Sequence, residues 1–306
     1  MSNKTYPIGI QNFEKIRKDG YFYVDKTSWI YQLVKTGSYY FLNRPRRFGK
    51  SLLISTLEAY FQGKKELFEG IIERACRKEG QRVVILVDEY DKPMLQAIGN
   101  EELQKSFRET LKAFYGALKS KDGCIKFGML TGVTKFGKVS VFSDLNNLDD
   151  ISMRKEYVEL CGISEQELHD NLEEELHDFA DAQDMTYEEI CNELRTYYDG
   201  YHFTNNTVGI YNPFSLLNAF KYKEFNSYWF ETGTPTYLVT LLKQHHYDLE
   251  RMAHEETSAD ILNSIDSTST NPIPVIYQSG YLTIKGYDRR FGIYRLGFPN
   301  REVEEG

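Results

Sequence analysis

Gly49-Lys50-Ser51, inside FLNRPRRFGKSLL, and Asp88-Glu89, at the end of RVVILVDEY, are the residues whose types and order carry chemistry in this 306-residue chain. A polyphosphate needs a glycine that lets the backbone approach, a helix N-terminus with free N–H groups, a lysine and a hydroxyl in the first helical turn. Gly49 meets the first need, Lys50 reaches the outer phosphates and Ser51 offers an oxygen to Mg²⁺. The general pattern G-x-x-x-x-G-K-[ST] also wants a glycine at position 44, where this chain has Arg44. A G-K-S triplet alone is common in turns, so its weight comes from a carboxylate partner. Asp88 closes an apolar strand-like run, the place from which an acid orients a metal's water shell, and Glu89 beside it is set to polarise an attacking water.

These residues must be positioned by strands and helices in a fixed order. SYYFLNRP predicts a strand closed by Pro45, and SLLISTLEAYFQG carries Leu52, Leu53, Leu57, Tyr60 and Phe61 at helical spacing before Gly63 stops it. Upstream, GYFYVDKT predicts a short strand, and SWIYQLVKTG a helix with Gly37 as its cap. KELFEGIIERACRKEG predicts a second helix, RVVILVDEY a strand buried on both faces, NEELQKSFRETLKAFYGALKSKDG an amphipathic helix and IKFGMLTGVT a further buried strand. Strands alternating with helices indicate an α/β fold with a largely parallel sheet.

Beyond about residue 150 the texture becomes helical and acidic, with Ser164 and Glu167 in capping-box spacing. The chain closes with YLTIKGY and FGIYRLG flanking DRR as the arms of a hairpin, which after helices suggests a winged-helix-like module. We therefore expect a phosphate-binding core over residues 1–150, followed by a helical lid and winged part over 151–306.

Composition narrows the classes. Lys and Arg number 37 against 45 Asp and Glu, and the net charge of −8 argues against unspecific attraction to phosphate backbones. Cys76, Cys124, Cys161 and Cys191 have no C-x-x-C spacing, which fits reduced thiols in a cytoplasm better than zinc or a disulfide framework. Neither a leader sequence nor an apolar run of membrane-spanning length is expected.

Several other residues have rival readings. Thr131 and Thr134, with Lys135 and Lys138 behind them, sit where a polar side chain would sense an outer phosphate, although strand threonines are more often just hydroxyls. Asp91 suits a helix N-cap ahead of Pro93 better than a supporting acid. His169, His177, His245, His246 and His254 lack convergent metal-ligand spacing. Tyr21, Phe22 and Tyr23 suit core packing better than stacking on a base. Arg44, Arg46 and Arg47 surround the loop and are expected to offset phosphate charge.

The chain also resembles a known family. YPIGIQNFEKIRKDGYFYVDKT, RPRRFGKS, VVILVDEYDKP, LTGVTKFGKVSVFSDLNNLDDIS, LCGISEQEL, YYDGYHF, YNPFSLLN and YQSGYLTI with YRLGFPN together resemble the predicted AAA-ATPase-like family of mainly bacterial P-loop proteins. There R-P-R-R-F-G-K-[ST] is the usual phosphate loop, so the resemblance implies an ATP site despite Arg44. The nucleotide set it implies is Arg44, Arg46, Arg47, Phe48, Gly49, Lys50, Ser51, Leu52 and Thr131, with Mg²⁺ on Ser51 and Asp88 and catalysis by Glu89 and Lys50. Two departures stand out. Relatives carry a further strand before the acidic one, so this sheet is expected to lack an edge strand beside Asp88. The family also commonly continues into a PD-(D/E)XK nuclease-like domain, which is not expected within these residues.

The function expected is Mg²⁺-dependent ATP hydrolysis driving a switch or motor. The rival is a nucleotide-gated or inactive scaffold whose C-terminal part binds a protein client or nucleic acid. A small-molecule kinase suits the loop but not the position of Glu89. Oligomerisation is compatible with the resemblance.

Overall fold

The computed structural model describes residues 4–62, 83–97, 100–135 without 121–124, 148–230 without 206, 238–239, 242–243, 252, 254–262 and 271–306. The helix expected over 65–80, the stop at Gly63, Lys138, Cys76, Cys124, His245 and His246 lie outside the described residues.

The chain opens with α1 (Phe13–Lys18) and α2 (Thr27–Thr36), then β1 (Tyr39–Asn43), α3 (Lys50–Phe61), β2 (Val83–Val87), α4 (Lys92–Gln96), α5 (Glu101–Ser120), β3 (Ile125–Gly132) and the two-residue β4 (Asp149–Asp150). The expected strand over GYFYVDKT is reduced to a single bridge between Thr5 and Tyr21. Its aromatics pack into neighbouring cores instead, with Tyr23 edge-on to Phe13.

The four strands form one sheet in the order β2-β3-β1-β4, all parallel. Side chains alternate across it, as the pleat requires. Tyr40 and Leu42 of β1 join Phe127 and Met129 of β3 on the face covered by Ile30, Leu33, Leu53 and Leu57 of α2 and α3. Phe41 and Leu130 face the other way. The strand with Asp88 corrects the sequence reading of full burial: among the described residues β2 is an edge that pairs only with β3, and its Val84–Val87 stretch is half-buried.

The second half of the chain supplies β5 (Ile163–Ser164), α6 (Glu165–Gln183), α7 (Tyr187–Tyr198), β6 (Ile210–Tyr211) and α8 (Pro213–Tyr222). Capping boxes start α6 at Ser164 with Glu167 and α7 at Thr186 with Glu189, and Asn212 caps α8, where Pro213 fills a first-turn position that needs no N–H. Their apolar faces share a core with Tyr6, Ile8, Phe22 and Val24 of the N-terminal segment. Lys4 pairs with Glu175, and Lys26 with Glu167, which straps that segment to α6.

The chain ends with β7 (Glu256–Ser258), α9 (Ala259–Leu262), α10 (Ile273–Gln278), β8 (Thr283–Asp288), β9 (Ile293–Gly297) and α11 (Arg301–Glu305). β8 and β9 form the expected hairpin within a three-stranded antiparallel sheet of order β7-β9-β8. Ile276, Leu282, Ile284 and Leu296 from this region close over Phe41, Tyr90 and Leu130, so it forms the second layer on the parallel sheet.

Candidate functional site

In a parallel sheet the strands' C-terminal ends share one edge, where open α/β folds present their ligand sites. Here the loop after β1, the Asp88-Glu89 turn after β2 and the end of β3 meet along that edge. β3 lies between the other two, so its terminal side chains can bridge them.

Asp88 is the meeting point. Its Oδ2 accepts a hydrogen bond from Ser51 Oγ at 2.5 Å, and its Oδ1 accepts from Thr131 Oγ1 at 2.6 Å and from the Glu89 amide at 3.0 Å. Ser51, Asp88 and Thr131, expected together from sequence, are together. Gly49 occupies the left-handed region at φ 82° as the N-cap of α3, a conformation that favours glycine and turns the first amides of the helix towards the loop.

Lys50 is 7% exposed, and its Nζ donates to the carbonyls of Arg44 at 3.0 Å and Pro45 at 2.9 Å. An ammonium has three donors, so two hold the loop's shape and one is left over. Burial lowers its pKa, and the largest opposing influence is the charge of Asp91. Glu89 is exposed, pairs with Lys92 at 2.8 Å and has a positive φ of 51°. A non-glycine residue enters that region rarely, and such strain concentrates at functional turns.

The three arginines part company. Arg46 and Arg47 rim an open cleft that also exposes Gly49, Lys50, Ser51 and Glu89. Arg47 lies over the Phe214 ring at 4.7 Å, and burial with the charge of Arg46 lowers its pKa. Arg44 departs from the expected phosphate-facing role. It is 1% exposed, and its guanidinium donates to the carbonyls of Asn43 (2.9 Å), Ser152 (2.8 Å) and Tyr157 (2.9 Å). It stacks on Phe203 at 4.0 Å, and burial brings its pKa down to about 10. Arg44 therefore ties the loop inward. Phe48 is likewise core, edge-on to Tyr201 at 4.7 Å and Phe203 at 5.5 Å, so only its backbone belongs to the loop surface.

The far wall of the cleft comes from residues 7–11 and from Pro213, Phe214 and Leu217 of α8, none of which had a chemical role from sequence. Behind Gly49 and Leu52 an adjoining apolar hollow is lined by Phe22, Val24, Leu53 and Ile163. Sequence reasoning also missed the true partners of Asp91, Thr134 and Lys135. Asp91 stands at the N-cap position of α4 but makes no cap; its Oδ2 accepts from Thr134 N, Thr134 Oγ1 and Val133 N. Thr134 is thereby occupied away from the cleft, and Lys135 pairs with Asp150 on β4. The blocks YPIGIQN and YNPFSLLN were visible as motifs, but their convergence needs the folded chain.

Ser51, Asp88 and Thr131 offer only oxygen ligands, the set a hard cation such as Mg²⁺ takes alongside phosphate oxygens. Among the described residues no cluster of three His, Cys, Asp or Glu side chains forms a metal cage, and no helix is long and apolar enough to cross a membrane.

The family model described as "Predicted AAA-ATPase" matches residues 7–72 and 69–142. A protein of Azotobacter chroococcum mcd 1, described as "Uncharacterized protein in vnfD 5'region", is 37% identical over 369 residues, covering 99% of this chain and 69% of its own length. That alignment is longer than the 306-residue chain, so the relative carries stretches that this chain lacks. The family match breaks at 69–72, within the connection from α3 to β2. No solved structure matches.

Proposed function

Because the chain belongs to the Predicted AAA-ATPase family, we propose that it binds Mg²⁺·ATP on the 44–51 loop and hydrolyses it, as a P-loop switch or motor. The observation that carries this is the convergence of Ser51 and Thr131 on the two oxygens of Asp88, with Lys50 and Ser51 opening the same helix. Bound Mg²⁺ would neutralise phosphate charge and fix phosphate orientation, with Ser51 and Asp88 holding it. Lys50 offers its third N–H to a phosphate oxygen, while Arg46 and Arg47 line the rim. Glu89, left-handed and facing the cleft, is the base that polarises a water. The apolar hollow behind Leu52 suits a nucleobase.

The test is thermal stability with ATP, with and without Mg²⁺. Wild type gains stability with both ligands, Lys50→Ala gains none, and Glu89→Gln keeps the gain but stops phosphate release. Lys50→Ala also frees two loop carbonyls, so the readout is the ligand-induced increment, not the absolute midpoint. Equal increments in wild type and Lys50→Ala would remove the proposal.

A second reading, a scaffold that binds a partner through its winged part, draws support from the β8–β9 tip. There Phe291 is 68% exposed, Arg290 stacks on it at 5.3 Å, and Asp288 pins the turn through the amides of Arg290 and Phe291.

A further inference from the structure

We infer that Asp91 is a positioning residue for the phosphate site: its carboxylate clamps the end of β3 so that Thr131 holds Asp88 in line with Ser51. The inference rests on reading the cleft as a Mg²⁺·ATP site.

β3 leaves its ladder at Gly132, so the amides of Val133 and Thr134 have no strand partner. Asp91 replaces the strand. Its Oδ2 accepts from Val133 N at 3.1 Å, Thr134 N at 2.6 Å and Thr134 Oγ1 at 2.7 Å, and the residue is 1% exposed. Its neighbour works from the other side: Tyr90 OH donates to the Thr134 carbonyl at 2.7 Å, and Tyr90 N to the Thr131 carbonyl at 3.0 Å. Thr134 is thus held by its amide, hydroxyl and carbonyl together.

Gly132 makes this close approach feasible. A Cβ there would lie 2.7 Å from Asp91 Oδ1 and 2.7 Å from the Tyr90 ring. The clamp therefore holds the Thr131 carbonyl and the residues just after it, next to the hydroxyl that orients Asp88.

A buried carboxylate is a costly way to tie a strand end, since burial raises its pKa, but a neutral amide in its place would accept the same bonds only weakly, without the charge that strengthens them. The bonds from Thr134 oppose that cost most and attraction to Lys50 adds to them, so the clamp is tied mechanically to Asp88 and also feels the charge of the loop lysine.

Asp91→Asn and Thr134→Val test the role, with the Mg²⁺ concentration that half-saturates the ATP-dependent thermal shift as the readout. A supporting residue around a metal site changes metal affinity by about 10–100-fold, so in Asp91→Asn that midpoint rises by this amount while metal-free ATP binding stays within about twofold. Thr134→Val moves the midpoint in the same direction by less. A merely structural residue would lower the melting temperature and leave the Mg²⁺ midpoint in place, and that result would overturn the inference. If Asp91→Asn does not fold, an unchanged midpoint in Thr134→Val has the same force. A wild-type protein with no Mg²⁺·ATP shift sinks the underlying reading instead, and the positioning role with it.

Discussion

Substituting Arg44 separates a loop arginine that binds phosphate from one that builds the loop. In Arg44→Ala the carbonyls of Asn43, Ser152 and Tyr157 lose donors now at 2.8 to 2.9 Å, and Phe203 loses the guanidinium stacked at 4.0 Å. At about 1 kcal/mol for each abandoned carbonyl and about 2 for a desolvated cation–π contact, the gross loss is about 5 kcal/mol, before any cavity cost. Against it stands relief from burying a charge. The fall of the Arg44 pKa from 12.5 to about 10 corresponds to about 3 kcal/mol. Adding a cavity of about 1–2 kcal/mol leaves a net destabilisation of about 3–4 kcal/mol, a large share of a domain's stability.

Arg44→Lys, which keeps the charge but reaches fewer carbonyls, falls between wild type and alanine. The assay is urea unfolding of both variants, followed by ATP titration where each remains folded. Lowered unfolding midpoints with nearly unchanged ATP affinity are expected. Unchanged unfolding in Arg44→Lys with ATP affinity down by about tenfold or more would refute the reasoning, because the guanidinium would then be facing phosphate.

Two further outcomes follow from the same structure. Asp199, whose Oδ1 has no partner among the described residues, is pushed by burial from 3.8 up to about 6. The native state therefore holds this proton more tightly than the unfolded chain, so the contribution is complete below about pH 4 and lost as pH rises through about 6, about 3 kcal/mol in all. Asp199→Asn removes that loss, and its stability relative to wild type rises across this window; parallel pH profiles would refute the assignment. At the β8–β9 tip, Phe291→Ala is expected to leave melting within about 0.5 kcal/mol of wild type. If the partner-binding reading holds, it also weakens capture of a single-stranded oligonucleotide by about 1–3 kcal/mol, the worth of one stacked base, as fluorescence anisotropy would register.

The site's skeleton was legible because its rules are local. A strand, a G-K-S turn and a helix must fall in that order, and an apolar strand ending in Asp88 must deliver its carboxylate to the same sheet edge. Ser51 and Asp88 met for that reason. What stayed hidden depends on distant chain. Arg44 points inward because Ser152 and Tyr157, more than a hundred residues on, present carbonyls to it. Pro213 and Phe214 face the loop because α8 packs beside the N-terminal segment. Asp91 carried a good capping signal ahead of Pro93, and the signal failed because unpaired amides at the end of β3 competed for the same oxygen.

The same competition explains how an edge strand can keep a site acid in register. A strand flanked on both sides is held by two ladders, whereas β2 has only β3 among the described residues and shifts register between Val83 and Val84. Asp88 lies just beyond that single ladder. Its position then depends on what fastens the turn following it, and the fastening runs through Tyr90 and Asp91 to Thr131, Val133 and Thr134. The family match breaks in the connection leading into β2, at residues outside the described ones. If the clamp holds Asp88 where β2 has a single ladder among the described residues, Gly132→Ala, which drives a methyl against Asp91 and Tyr90, disturbs Asp88 more than a similar clash elsewhere in β3.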